Sequence, residues 1–195
     1  MPRHFALRSL IRLSVAVSLV ALLAGCGFQL RGAPPVSAAL QPLAVDCSSP
    51  VPETLCQSVR EQLKLGEIKL VPVEQANYIL RLDNFEEDRR ATAITAQAGA
   101  AEYTLRHSVA IEVVSADRIP IVASTRLNTS ESYRYDETNV LAKQREEEAL
   151  LLQLNDRLAQ QVLFRLAPLT SERIEAIRGE YNRTQNAGAP ATGKP

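Results

Sequence analysis

From Tyr103 to Val114 the chain alternates without a break, with Tyr103, Leu105, His107, Val109, Ile111 and Val113 on one side and Thr104, Arg106, Ser108, Ala110 and Glu112 on the other. A period of two over that length predicts a half-buried antiparallel strand. A second strand is predicted from Tyr78 to about Phe85, where Tyr78, Leu80 and Leu82 share a face and Arg81 and Asp83 take the other. The turn at Ser115 to Arg118 leads to a third long strand, Ile119 to about Tyr135, with Ile121, Ala123, Thr125 and Leu127 on one side and Pro120 in its first residues. Leu43-Ala44-Val45 reads as a short apolar strand.

The helical signals are equally local. Pro50 and Pro52 pre-set the first turn of a helix that Gly66 stops, with Leu55, Val59 and Leu63 as its buried stripe. Asp136-Glu137-Thr138-Asn139 offers capping side chains for a long helix that ends before Pro168. Leu151, Leu154, Leu158, Val162 and Leu166 make its second half amphipathic, while Lys143, Arg145 and Glu146-Glu147-Glu148 leave the first half polar, projecting into solvent or a partner. Ser171 caps a further short helix carrying Ile174 and Ile177. The order predicts an α+β fold: a two-layer sandwich with two helices packed on one face of a mostly antiparallel four-stranded sheet. Residues 40–181 form one domain on this reading, and 182–195, rich in Ala, Gly, Thr and Pro from Thr184 on, form a disordered tail.

The N-terminus obeys a different logic. An apolar run from Leu13 to Ala24 comes after arginines at positions 3, 8 and 12 and closes in Leu23-Ala24-Gly25-Cys26. That run has the length of a signal-peptide core and falls short of the roughly 20 residues a spanning helix needs. Residues 1–25 are therefore read as a lipoprotein signal, removed at Cys26, whose thiol and freed amine take the lipid. Residues 26–39, with Pro34 and Pro35, become a lipidated tether, and the chain meets the membrane through that anchor alone. Gly27 stands where an inner-membrane retention signal would place aspartate, so the outer membrane is the expected address. A cleaved signal with a chance cysteine and an uncleaved short anchor are the plainer alternatives.

Charge and composition narrow the chemistry. Taking the three signal arginines off the 22 basic residues leaves 19 against 22 acidic ones, a net of −3, which does not suit a nucleic-acid binder. Beyond Cys26 only Cys47 and Cys56 remain, an even pair in an exported chain; a disulfide or two independently buried thiols both fit. His107 is the one histidine outside the signal and lies on an apolar strand face, where a core histidine is the ordinary reading. With no nucleophile elbow, no phosphate loop and no multi-histidine cluster, neither an enzyme, a metal site nor a cofactor is expected.

Several short motifs in fixed order carry a resemblance. Cys26-Gly27-Phe28-Gln29-Leu30-Arg31-Gly32, Ala101-Glu102-Tyr103-Thr104-Leu105, Tyr133-Arg134-Tyr135-Asp136, and Val140-Leu141-Ala142-Lys143 followed by Glu146-Glu147-Glu148 together resemble the lipopolysaccharide-assembly lipoprotein family LptE, also called rare lipoprotein B. The resemblance implies an outer-membrane lipoprotein that plugs and helps assemble the LptD barrel and assists delivery of lipopolysaccharide to the outer leaflet. It also carries the family's lipopolysaccharide-binding lysine onto Lys143. The family's second basic position is occupied here by Ala96, with Arg89 and Arg90 nearby as substitutes, and Arg134 completes the set of cations that can meet lipid phosphates. The stretch Ala91 to Ala101 would form a tip of small polar residues suited to a wet barrel interior. The alternative is an outer-membrane lipoprotein that docks on and regulates a periplasmic cell-envelope enzyme.

Overall fold

The alternating segments pair as neighbours. In the structure, a computed structural model that describes residues 36–96 and 99–188, four strands form one sheet in the order β1-β2-β3-β4. The expected signal segment, Cys26, the expected tether up to Pro35 and the chain beyond Gly188 lie outside the described residues. β1 (Leu43–Cys47) runs parallel to β2 (Tyr78–Ile94), and β2, β3 (Ala100–Ser115) and β4 (Pro120–Arg134) are antiparallel. A parallel pair needs a crossover, supplied by helix α1 (Glu53–Leu65). The long helix α2 (Val140–Leu166) and then α3 (Ser171–Gly188) complete the chain.

The helices lie on one face, giving the two-layer α+β sandwich. Leu80, Leu82, Val109, Ile111, Val113 and Leu127 turn toward Leu55, Val59 and Leu63 of α1 and Leu158, Val162 and Leu166 of α2. Each such side chain, fully buried, stabilises the fold by about 1.5–3 kcal/mol relative to exposure. The opposite face is polar, with Arg81, Ser108, Arg106, Thr104, Arg126, Asn128, Ser130 and Ser132 in register across β2, β3 and β4. Cys47 and Cys56 are joined by a disulfide, with Cα atoms 6.4 Å apart, tying the end of β1 to the first turn of α1.

Four expectations need correction. β2 does not stop at Phe85 but continues to Ile94, so the polar tip expected over 91–101 shrinks to the few residues between Ile94 and Ala100. A bulge opposite β3 between Ile111 and Val113 breaks the alternation of β4: Ile121 is buried, Val122 packs against the same core, and Ala123 is exposed. α3 runs through Thr184 to Gly188, since Ile174, Ile177 and Tyr181 give it an apolar stripe on the core that composition alone hides. Val36 is buried in the core and Ser37 caps a short 3-10 turn, Ala38–Leu40, so the end of the expected tether is part of the packed body.

A second bulge lies in β2 between Asp83 and Glu86. Asn84 there has φ 49°, in the left-handed region that asparagine tolerates and β-branched residues do not. Its amide bonds to the Asp83 carboxylate at 2.7 Å, which also accepts from the Ser48 hydroxyl at 2.6 Å and is held below the usual carboxylate range chiefly by that hydroxyl. Asn84→Val is expected to lower unfolding stability by about 1–2 kcal/mol, against a few tenths for Asn84→Gly. Urea titrations of the two variants check it, and equal midpoints would remove the left-handed turn as a constraint.

Candidate functional site

The extra residue at the bulge in β2 reverses the strand's parity. Before it the even residues Leu80 and Leu82 face the helices; after it Glu87, Arg89 and Ala91 pair in register with His107, Leu105 and Tyr103, residues of the helix-facing row. Arg89 therefore lies beneath the first turns of α2, while Arg90, paired with Thr104, looks out of the opposite face and bonds Asp88 at 2.6 Å. Arg134 comes directly after the buried Tyr133 on β4 and so also belongs to the outer face. Lys143 sits on α2. The four predicted cations thus divide into two pairs on opposite sides of the sheet, and Lys143 and Arg134 do not form a common site.

On the helix side the sequence assembles an aromatic and charged cluster. Tyr133 and Leu105 are buried with Leu154 of α2, and Tyr103, Tyr135, Leu150 and Leu151 pack around them. The Tyr103 and Tyr133 rings stack with centroids 5.9 Å apart, and Tyr135 meets Tyr103 edge-on at 5.4 Å. The Arg89 guanidinium lies 3.6 Å from the Tyr103 ring centroid, a cation–π contact of about 0.5–1 kcal/mol where partly exposed. Its Nε is 3.0 Å from Glu147 Oε1 and its Nη2 donates to the Tyr133 hydroxyl at 3.1 Å. Tyr133 in turn donates to the other Glu147 oxygen. The hydrogen bond to Tyr133 holds the Arg89 pKa above its ordinary value, and burial pushes the Tyr133 phenol up.

The start of α2 is consequently not a free projection. Glu147 fastens it to the strands, and Lys143 pairs with Glu146 at 2.7 Å, three residues on, rather than with Glu147. Successive residues of a helix point about 100° apart, so neighbouring glutamates reach different cations. An open groove of about 470 Å³ lies over this cluster, lined by Arg89, Tyr135, Val140, Gln144, Glu147 and Leu151 among others. Tyr103, Tyr133 and Tyr135 are visible in the sequence as motif residues; that they and Glu147 surround Arg89 is not, because the bulge reverses the parity between them.

Ala96 is an exposed turn residue at the tip. Arg90 lies four residues short of Ile94 along β2, roughly 13 Å at strand rise, so neither Arg89 nor Arg90 takes the place of a cation at the tip. His107 belongs to the core, 1 % exposed. Its Nδ1 is 3.0 Å from Asn155 Oδ1, the Asn155 amide donates to Thr54 Oγ1 at 3.0 Å, and Phe85 meets the ring edge-on. Glu87 Oε2 lies 3.2 Å from Nε2 without the alignment of a hydrogen bond. These bonds join β3 to both α1 and α2. Among the described residues no group of three or more His, Cys, Asp or Glu side chains is placed to hold a metal ion.

Comparison with known proteins fits this architecture. A family model described as LptE, lipopolysaccharide-assembly, matches residues 40–166. The chain is 31% identical over 195 residues to the LPS-assembly lipoprotein LptE of Yersinia enterocolitica, covering 98% of this chain and 89% of that one. It is 30% identical over 179 residues to the protein of the same name from Pectobacterium atrosepticum, covering 90% of this chain and 92% of that one. Among solved structures, lipoprotein B from Nitrosomonas europaea superposes with a TM-score of 0.58 at 18% identity, covering 72% of this chain and 90% of that chain. Rare lipoprotein B from Shewanella oneidensis gives 0.52 at 24%, covering 74% and 98%. Those two likenesses concern the fold.

Proposed function

The chain belongs to the LptE lipopolysaccharide-assembly family, and on that premise we propose that it is an outer-membrane lipoprotein, anchored through Cys26, that seats its sheet in the lumen of the LptD barrel and assists lipopolysaccharide delivery. The observation that carries this reading is the outer face of the sheet. A surface meeting the polar interior of a large barrel must itself be polar, and Thr104, Asn128, Ser130 and Ser132 give that face hydroxyls and an amide between arginines. Its apolar side chains point the other way, into the helices. The 17 residues of β2 span about 56 Å at strand rise, more than the roughly 30 Å of a bilayer's hydrocarbon, so the sheet is long enough to reach through a lumen. The role is one of assembly and conduction, without a reaction catalysed by this chain.

Affinity purification of the full-length lipidated protein from outer membranes tests the reading. A heat-resistant barrel of large mass is expected to copurify, and Ser130→Trp on the exposed outer face is expected to reduce its recovery at least fivefold at unchanged thermal stability. Recovery of a periplasmic enzyme and no barrel would replace the plug reading. For the lipid, Arg89 and Lys143 on the helix side support phosphate contact together better than Lys143 and Arg134, which the sheet separates.

A further inference from the structure

We infer that Arg89 and Tyr133 form an anion site occupied in the resting protein by its own Glu147 carboxylate, which a phosphate monoester displaces. This deepens the proposed function and rests on it for the identity of the incoming phosphate, a lipid headgroup. The site itself rests on geometry. Arg89 Nε and the Tyr133 hydroxyl each hold one oxygen of the same carboxylate, and Arg89 Nη2 fixes the hydroxyl at 3.1 Å. Tyr103 supports the guanidinium from one face at 3.6 Å, and the stacked Tyr133 ring keeps the two donors in a fixed relation. A guanidinium edge with a hydroxyl beside it suits a carboxylate and a phosphate alike, and the dianion gains more from it.

The occupant can leave. Glu147 is on an exposed stretch of helix, and its side chain, a quarter exposed where it stands, can turn into solvent without stranding a buried charge. The groove above the site gives an entering group room, and its wall of Tyr135, Val140 and Leu151 is apolar beside the charged floor, the combination an amphiphile with a phosphorylated head requires. Glu146 does the same to Lys143 at 2.7 Å, so both helix-side cations are neutralised by consecutive residues of one helix. A lipid phosphate meeting this surface exchanges partners rather than filling an empty site. Release downstream is then assisted by the returning carboxylate.

The test uses the full-length lipidated protein in detergent micelles, with bisphosphorylated lipid A, its dephosphorylated form and inorganic phosphate as separate probes. Removing an internal competitor raises apparent affinity by the inverse of the free fraction of the site. Glu147→Gln is therefore expected to bind bisphosphorylated lipid A about three- to tenfold more tightly, with no gain for the dephosphorylated form, and Arg89→Gln added to it is expected to cancel the gain. Glu147→Ala serves as the second variant if the glutamine disturbs the fold, with melting temperature as the control. A gain for inorganic phosphate alone would keep the anion site and reject the lipid as its ligand. Unchanged lipid A affinity in both Glu147 variants would make the contact a structural stitch and overturn the inference, while barrel copurification would still stand. Loss of the barrel from the wild-type purification with the affinity gain intact would overturn the plug reading alone.

Discussion

Cys26→Ala is expected to abolish incorporation of labelled fatty acid entirely and to leave the protein as its longer precursor in the inner-membrane fraction, with none in the outer membrane. The apolar run before Cys26 is too short to span comfortably, so it can hold a precursor at the inner membrane but gives the mature protein no attachment once removed. A single acyl chain provides only marginal binding; a diacylglyceryl group with an N-linked chain, at about 0.8 kcal/mol per buried methylene, gives stable anchoring. All of that depends on one sulfur. Since Val36 already belongs to the packed core, a version starting at Gly27 keeps all of the described body and is expected to fold and stay soluble. Label on the alanine variant, or its arrival in the outer membrane, would refute the anchor.

The second large effect concerns the Cys47–Cys56 bridge. It closes a loop of about ten residues, for which the chain-entropy account gives about 2.5–3 kcal/mol of stabilisation through the unfolded state. Set against a typical domain stability of roughly 5–15 kcal/mol, that is a substantial fraction. The bridge also holds a weak element: β1 has five residues, pairs with β2 along its length, meets Leu70 on its other side at Leu43, and is joined to α1 at its last residue. The double variant Cys47→Ser with Cys56→Ser is expected to lower the thermal midpoint by roughly 5–12 °C, with Cys56, fully buried, contributing extra loss through its hydroxyl replacement. Scanning calorimetry of the exported protein decides it, and a shift under about 2 °C would show that packing, not the cross-link, holds β1 in place.

How much was legible in the sequence depends on the physics of each signal. Strand β3 and helix α1 are continuous periodic patterns, and each is found with its buried stripe where the pattern puts it, Val109, Ile111 and Val113 in one and Leu55, Val59 and Leu63 in the other. Bulges are invisible to a period of two. Asn84 adds one residue to β2, so carrying the period of Leu80 and Leu82 past Phe85 would place Arg89 and Arg90 on the opposite faces from those they occupy. The tail misled through composition, since Thr, Asn, Gly and Ala around 184–188 mask a helix anchored earlier by Ile174 and Tyr181. The site was half legible. Its cations stand out one by one, but the acidic run reads as a solvated face, and only tertiary structure shows Glu146 and Glu147 each neutralising a different cation.

The shortness of β1 has a consequence for the order of events after export. It covers β2 only from Tyr78 to Leu82, so from Asp83 outward the sheet is, among the described residues, a ribbon of three strands with a bare border along β2. Backbone amides on that border are expected to exchange with solvent far sooner than those of the helix-covered end, because local opening there exposes little apolar surface. A bare border also invites a second copy to add a strand, and the charges of Glu86, Glu87, Asp88, Arg89 and Arg90 stand along it as a deterrent. The body is therefore expected to reach its final form first and the ribbon to stay pliant, and on the proposed function the barrel wall is what comes to stand beside its β2 border.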